Sequence, residues 1–241
     1  MMETGHRPRA VPRLPDTMTG LQGRTVHPEL GAVPFRLDYV SSIPDQQVEA
    51  TIPRMRDYAL LSALTPVIRE QLMKAWAIGD GDFFAGIHRW VKSVLRFRED
   101  EDTVEQLDTP DHAETIEVLI PPMDLATAVE SGIAPAEDCD GYAMYVASLL
   151  CAAGIPCNFV AVAADPADPS RFSHVYVAAY PSPDVRIPMD ASHGEFAGWE
   201  CPNRFGKRKE WPVQASQSFR FWPTMLVLAM LGGATYLAVR N

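Results

Sequence analysis

The segment Glu137-Asp138-Cys139-Asp140-Gly141 sets one cysteine at the head of an apolar run from Tyr142 to Cys157. A thiol in the first turn of a buried helix faces unpaired backbone N–H groups and the positive end of the helix dipole, and both favour the thiolate. Further along come a histidine, in Ser173-His174-Val175-Tyr176-Val177, and a carboxylate, in Pro188-Met189-Asp190. A nucleophile, a base and a group that orients the base are the parts of thiol-dependent acyl transfer. Asp138 and Asp140 flank the thiol and oppose its ionisation by like charge. As caps on the helix N–H groups they would turn away from the sulfur.

The base and its carboxylate fall on a predicted hairpin. Two strands, 172–180 and 185–190, flank the turn Pro181-Ser182-Pro183-Asp184. With the turn centred on Ser182 and Pro183, His174 lies opposite or nearly opposite Asp190. Cross-strand Cβ atoms are roughly 4.5–5.5 Å apart, close enough for a carboxylate to hold an imidazole. Alternation puts His174, Tyr176 and Ala178 on one face and Val175, Val177 and Ala179 on the other. The cysteine helix is expected on the His174 face.

Other residues compete for roles. His193 follows Asp190 on a loop and reads as a support or surface residue; His112 lies in an acidic stretch. Tyr176, Trp199 and Asp140 are the candidate substrate contacts, although packing is the plainer role for the tryptophans Trp199 and Trp211. No metal ligand set is expected: Cys139, Cys151, Cys157 and Cys201 form no C-x-x-C pair. No cofactor is called for.

The chain has 241 residues and a formal net charge of −10, which argues against nucleic acid as a partner. Between Glu99 and Asp140 there are many carboxylates and no Lys or Arg. That is the pattern of a solvated face, or of an acidic rim that draws basic substrates toward Cys139. The polar, Pro-rich start has no secretory signal, so a reducing, cytosolic setting with free thiols is expected.

Four regions are expected. Residues 1–50 read as an extended Pro- and Arg-rich arm, suited to draping on virion or other assembly partners. Residues 51–213 are expected to form the folded domain, 214–220 a linker, and 221–239 a transmembrane helix. Helical periodicity starts near Pro53 and breaks at Pro66. A second helix follows the cap Asp82 and carries the stripe Phe84, Ile87, Trp90, Val91, Val94 and Leu95, with His88 at its edge. A short helix ends at Gly132, and the cysteine helix ends at Gly154. Helices first and strands after them imply an α+β domain, with N-terminal helices packed on an antiparallel sheet.

Phe221 to Val239 carries no charged residue and matches in length the ~20 residues a spanning helix needs. Lys207, Arg208, Lys209 and Arg220 precede it and Arg240 alone follows, which would leave the folded domain cytosolic.

Glu-Asp-Cys-Asp-Gly-Tyr-Ala, the helix end Leu-Leu-Cys-Ala-Ala-Gly-Ile-Pro, the His-Val-Tyr-Val strand and Met-Asp-Ala-Ser together resemble the transglutaminase-like superfamily. The similarity runs over roughly 82–213, and the stretch Val-Leu-Arg-Phe-Arg-Glu-Asp and the tail Gly198 to Trp211 are similar to phage and prophage members. The resemblance implies a papain-like core with Cys139 as nucleophile, His174 as base and Asp190 orienting it. The family motif usually reads Asp-Cys-Asp-Asp, where this chain has Gly141. The implied reaction is attack on an amide carbonyl, a thioester, then transfer to water or an amine, with a protein or peptide as substrate. The alternative is a non-catalytic structural or virion assembly protein that keeps the fold.

Overall fold

A computed structural model describes residues 36–39, 44–100, 102 and 116–214. Their architecture is mixed α/β: five helices against an antiparallel sheet. In chain order the helices are α1 (Pro44–Ala63), α2 (Pro66–Ala77), α3 (Phe83–Val94), α4 (Pro122–Glu130) and α5 (Cys139–Ala152). The strands are β1 (Arg36–Tyr39), β2 (Arg96–Phe97), β3 (Ile116–Leu119), β4 (Ala136–Glu137), β5 (Cys157–Val162), β6 (His174–Ser182), β7 (Val185–Met189) and β8 (Arg208–Pro212). The main sheet runs β7-β6-β5-β8, every neighbour antiparallel. Two small pairs stand apart from it, β1 with β3 antiparallel and β2 with β4 parallel.

Helix α5 is the centre of the core. It is buried from Asp140 through Leu150, as befits a helix apolar on all sides. Helices α1 to α4 cover it on one side and β5 and β6 on the other. Its start is set by Asp138, whose side chain accepts from the N–H of Asp140 at 2.9 Å and of Gly141 at 3.5 Å. Its end is set by Gly154 at φ +71°, which lets Ile155 N–H reach back to the Leu150 carbonyl. Helix α3 begins at Asp82, which accepts from Ala85 N–H at 3.0 Å. Gly86 lets α3 lie against α2, since a Cβ there would strike the Ala75 carbonyl.

Several expectations shift. Helix α1 does not start near Pro53 but runs through it from Pro44. Proline forfeits an N–H bond in a helix interior, yet Ile52, Met55 and Ala59 are buried in the core, and that packing overrides the local signal. Residues 36–39 pair with β3, and 44–50 belong to α1, so the arm read over 1–50 contributes two elements to the fold. Just ahead of the carboxylate-rich stretch, Arg96 and Phe97 form a short strand, β2.

The hairpin register is offset by one from a turn centred on Ser182 and Pro183: Ser182 pairs with Val185, and an irregularity between Ala179 and Ser182 then sets Ala179 opposite Ile187. Val177 faces Met189 and Ala178 faces Pro188. Continued, that register would set Ser192 opposite His174, so Asp190 meets His174 as a diagonal neighbour. The packing face is also reversed. Helix α5 shares its core cluster with Val177 and Ala179, whereas Tyr176 and Ala178 form a separate cluster with Val160 and Val162. The helix therefore covers the face away from Tyr176. His174 reaches the cysteine end of α5 because it is the first residue of β6, at the margin of the sheet.

No helix among the described residues is long and apolar enough to cross a membrane. The segment 221–239 and the linker from residue 215 lie outside the described residues, as do 1–35 and His112.

Candidate active site

Cys139 is the first residue of α5 and is partly exposed. It lines a cavity of about 180 Å³. One wall is the start of α1 (Gln47, Val48, Thr51), another is Arg171 to Val175, and the third runs through Glu99, Asp100, Asp138 and Asp140. His174 is part of the second wall, so thiol and imidazole open on one space.

His174 Nε2–H donates to Asp190 Oδ2 at 2.7 Å, and both side chains are buried. A ring that gives Nε2–H to a carboxylate keeps Nδ1 as its basic nitrogen. Burial alone would raise the Asp190 carboxyl. The hydrogen bond and charge of His174 outweigh it, with help from the His193 N–H and the Ser192 hydroxyl, and the group is held below the usual carboxylate range.

Asp190 is gripped from every side. Its Oδ1 accepts from Ser192 Oγ at 3.0 Å and from His193 N–H at 3.1 Å. Ser192 Oγ is then free to accept from His193 Nδ1 at 3.0 Å. The Asp190 carbonyl accepts from Gly194 N–H at 2.9 Å and from His88 Nε2–H at 3.1 Å. Gly194 is needed for that turn, because a Cβ would collide with the same carbonyl. Lys92, one turn beyond His88 on α3, donates to the Gly194 carbonyl at 2.8 Å. Burial lowers the His88 pKa despite its carbonyl partner, which keeps the ring neutral with its proton on Nε2. Burial and the neighbouring His174 charge likewise lower His193.

The sequence places His88 at a helix edge and His193 in a support or surface role, but does not show that His88, Ser192 and Gly194 hold Asp190. His88 and Lys92 share a helix face at i, i+4 spacing, and Asp190-Ala191-Ser192 has the form of an Asx turn. Neither signal says what the residues will meet.

The candidate substrate contacts divide. Asp140 is buried and lines the cavity. Tyr176 is not a cavity residue: its ring stacks behind His174 with centroids 5.9 Å apart, and its hydroxyl donates to Glu200. Trp199 also lies off the cavity, against the Gly194 turn. Gly141, the departure from the Asp-Cys-Asp-Asp pattern, faces a buried glutamate. A Cβ at 141 would overlap the Glu137 side chain, so a carboxylate already fills the space a larger residue would need. That charge, after burial, helps push the Tyr142 phenol to about 12.

Thr51 Oγ1 is buried in the α1 wall without a hydrogen-bond partner, where a ligand's polar group would be favourable. Among the described residues, His174, Asp190 and His193 bring potential metal-ligating atoms within 4.8 Å of one another. The hydrogen bonds to Asp190 account for that closeness.

No known protein family, curated protein or solved structure matches the chain.

Proposed function

We propose that the protein is a cysteine-dependent acyl-transfer enzyme acting on amide or peptide bonds, built on a transglutaminase-like core. The observation that carries this reading is the buried His174–Asp190 pair, whose imidazole lines the same cavity as a cysteine at a helix N-terminus.

Cys139 gives its proton to His174 Nδ1, and the thiolate attacks the substrate carbonyl carbon. The oxyanion that forms takes a hydrogen bond from the Cys139 N–H at the helix end. His174 passes the proton to the leaving amine, the C–N bond breaks and a thioester remains. Water or a second amine, deprotonated by the same imidazole, then releases the acyl group. Asp190 keeps the imidazole in the required tautomer throughout.

The cavity walls carry Glu99, Asp100, Asp138 and Asp140 against Arg171, which favours a substrate segment bearing positive charge. The charge-free stretch 221–239 supports a membrane anchor that leaves the domain cytosolic, and the Pro-rich residues ahead of β1 support a role in an assembly such as a virion.

Mass-spectrometric thiol labelling tests the proposal. Iodoacetamide should modify Cys139 well ahead of Cys157, whose thiol burial pushes up, and of Cys201, pushed up to about 11 by burial and then by Asp190. Cys139→Ala should abolish both this reaction and any thioester trapped with an amide or ester substrate. Labelling of Cys139 no faster than of Cys201 would sink the reading.

A further inference from the structure

Strand β2 runs parallel to β4, and β4 leads directly into Cys139. The ladder uses Arg96 and the residue just past β2: Arg96 N–H donates to the Pro135 carbonyl at 2.9 Å and Arg98 N–H to the Glu137 carbonyl at 3.0 Å. Backbone groups alternate along a strand, so the Phe97 N–H and C=O face the other edge. Among the described residues no strand pairs with that edge.

The side chain at this position is unusual in the same way. Phe97 is 42% exposed, and its ring meets His193 edge-on with centroids 5.0 Å apart. His193 in turn meets the His174 ring at 4.7 Å. An aromatic ledge thus runs from Phe97 to the histidine of the candidate triad. Beyond Phe97 the chain continues to Glu99 and Asp100, which line the cavity at Cys139.

We infer that the outer edge of β2 is the docking edge for the substrate, an extended peptide whose backbone pairs with the N–H and C=O of Phe97. An added strand takes its affinity from main-chain hydrogen bonds and its selectivity from alternate side-chain sites. Phe97 is level with Glu137 in the ladder, two residues before Cys139. A peptide on this edge that runs with β2 advances about 3.3 Å per residue, alongside the chain that leads to Glu99 and Asp100 at the cavity of Cys139. Its alternate side chains fall on the Phe97–His193 ledge. The inference rests on the acyl-transfer reading for the identity of the occupant.

Two probes test it on the full chain. Acetyl-Ala-Ala-Ala chloromethyl ketone carries the backbone to be paired; the Cys139 thiolate displaces its chloride and forms a thioether. Its analogue with the central amide N-methylated lacks one donor. The peptide should label Cys139 about tenfold faster than the N-methyl analogue does. The ratio of peptide labelling to iodoacetamide labelling should fall about tenfold in Phe97→Pro, which removes the outward N–H but no ladder bond. It should fall less in Phe97→Ala, which removes only the ring. Equal rates for the two probes on the wild-type protein would overturn the inference without recourse to a variant.

A second readout is independent of the thiol. In Cys139→Ala, millimolar acetyl-Ala-Ala-Ala-amide should slow hydrogen exchange at the Phe97 N–H. Protection there with an inert Cys139 in the wild-type protein refutes the acyl-transfer reading and keeps the docking edge. A reactive Cys139 with no protection and no preference between probes refutes the docking edge alone.

Discussion

His88 Nε2–H donates to the backbone carbonyl of Asp190 at 3.1 Å, tying α3 to the residue that orients His174. The same carbonyl takes the Gly194 N–H, and Lys92 holds the Gly194 carbonyl. The carboxylate of the candidate triad is therefore positioned through its main chain by a helix far away in sequence.

Removing the His88 ring should loosen this clamp. His88→Ala leaves a buried carbonyl short of one donor, a loss of about 1–3 kcal/mol. The expected result is a lower denaturant midpoint together with slower alkylation of Cys139. A drop in stability with unchanged Cys139 reactivity would separate the clamp from the site.

The same residues set a pH dependence. The His88 and His193 pKa values are lowered on folding, chiefly by burial. The unfolded chain, with histidines near about 6.5, then binds more protons. Stability from these groups is complete above that pH and is lost as pH falls through their folded values. Asp190, also lowered, gives way only under more acid conditions, below about 3.9. Thermal melts from pH 8 down to 3 should fall in two stages. Replacing His88 by Gln should make the first stage shallower.

Asp190→Asn keeps the shape of the side chain but reverses the hydrogen bond, since an amide nitrogen can supply a donor where a carboxylate cannot. Held by the wrong tautomer, His174 cannot take the thiol proton. Turnover should drop by roughly 10²–10⁴-fold, with circular dichroism unchanged. A variant within tenfold of wild type would mean that Asp190 is structural.

Gly141→Ala should destabilise the fold by about 1–3 kcal/mol, the usual range for overpacking, because the new Cβ overlaps the Glu137 side chain. Adding Glu137→Ala should recover part of the loss, and a double-mutant cycle on melting midpoints measures the coupling. Additive effects would show that Glu137 does not occupy that space.

Deleting 221–241 should abolish sedimentation with membranes and leave the melting transition of the domain in place. The domain up to Val213 is already closed by β8 and by the Val213 N–H bond to the Cys157 carbonyl. Loss of the transition on truncation would mark the segment as part of the core.

Local chemistry made much of this protein readable from its residues alone. Asp138 caps a helix wherever an aspartate precedes such an apolar run, Gly154 ends it, and Asp82 starts α3; each acts within a turn of itself. Those signals put Cys139 at a helix start and His174 on a strand near Asp190. What only the tertiary structure decided is the surroundings of those residues. An irregular turn moved the register by one, and the packing of α5 chose the Val177 face instead of the Tyr176 face. Core burial carried α1 through Pro53, so that Thr51 came to wall the cavity. His88 met Asp190 across 102 residues of chain. Such contacts are selected by the shape and burial of the whole core, and no property of the neighbouring residues announces them.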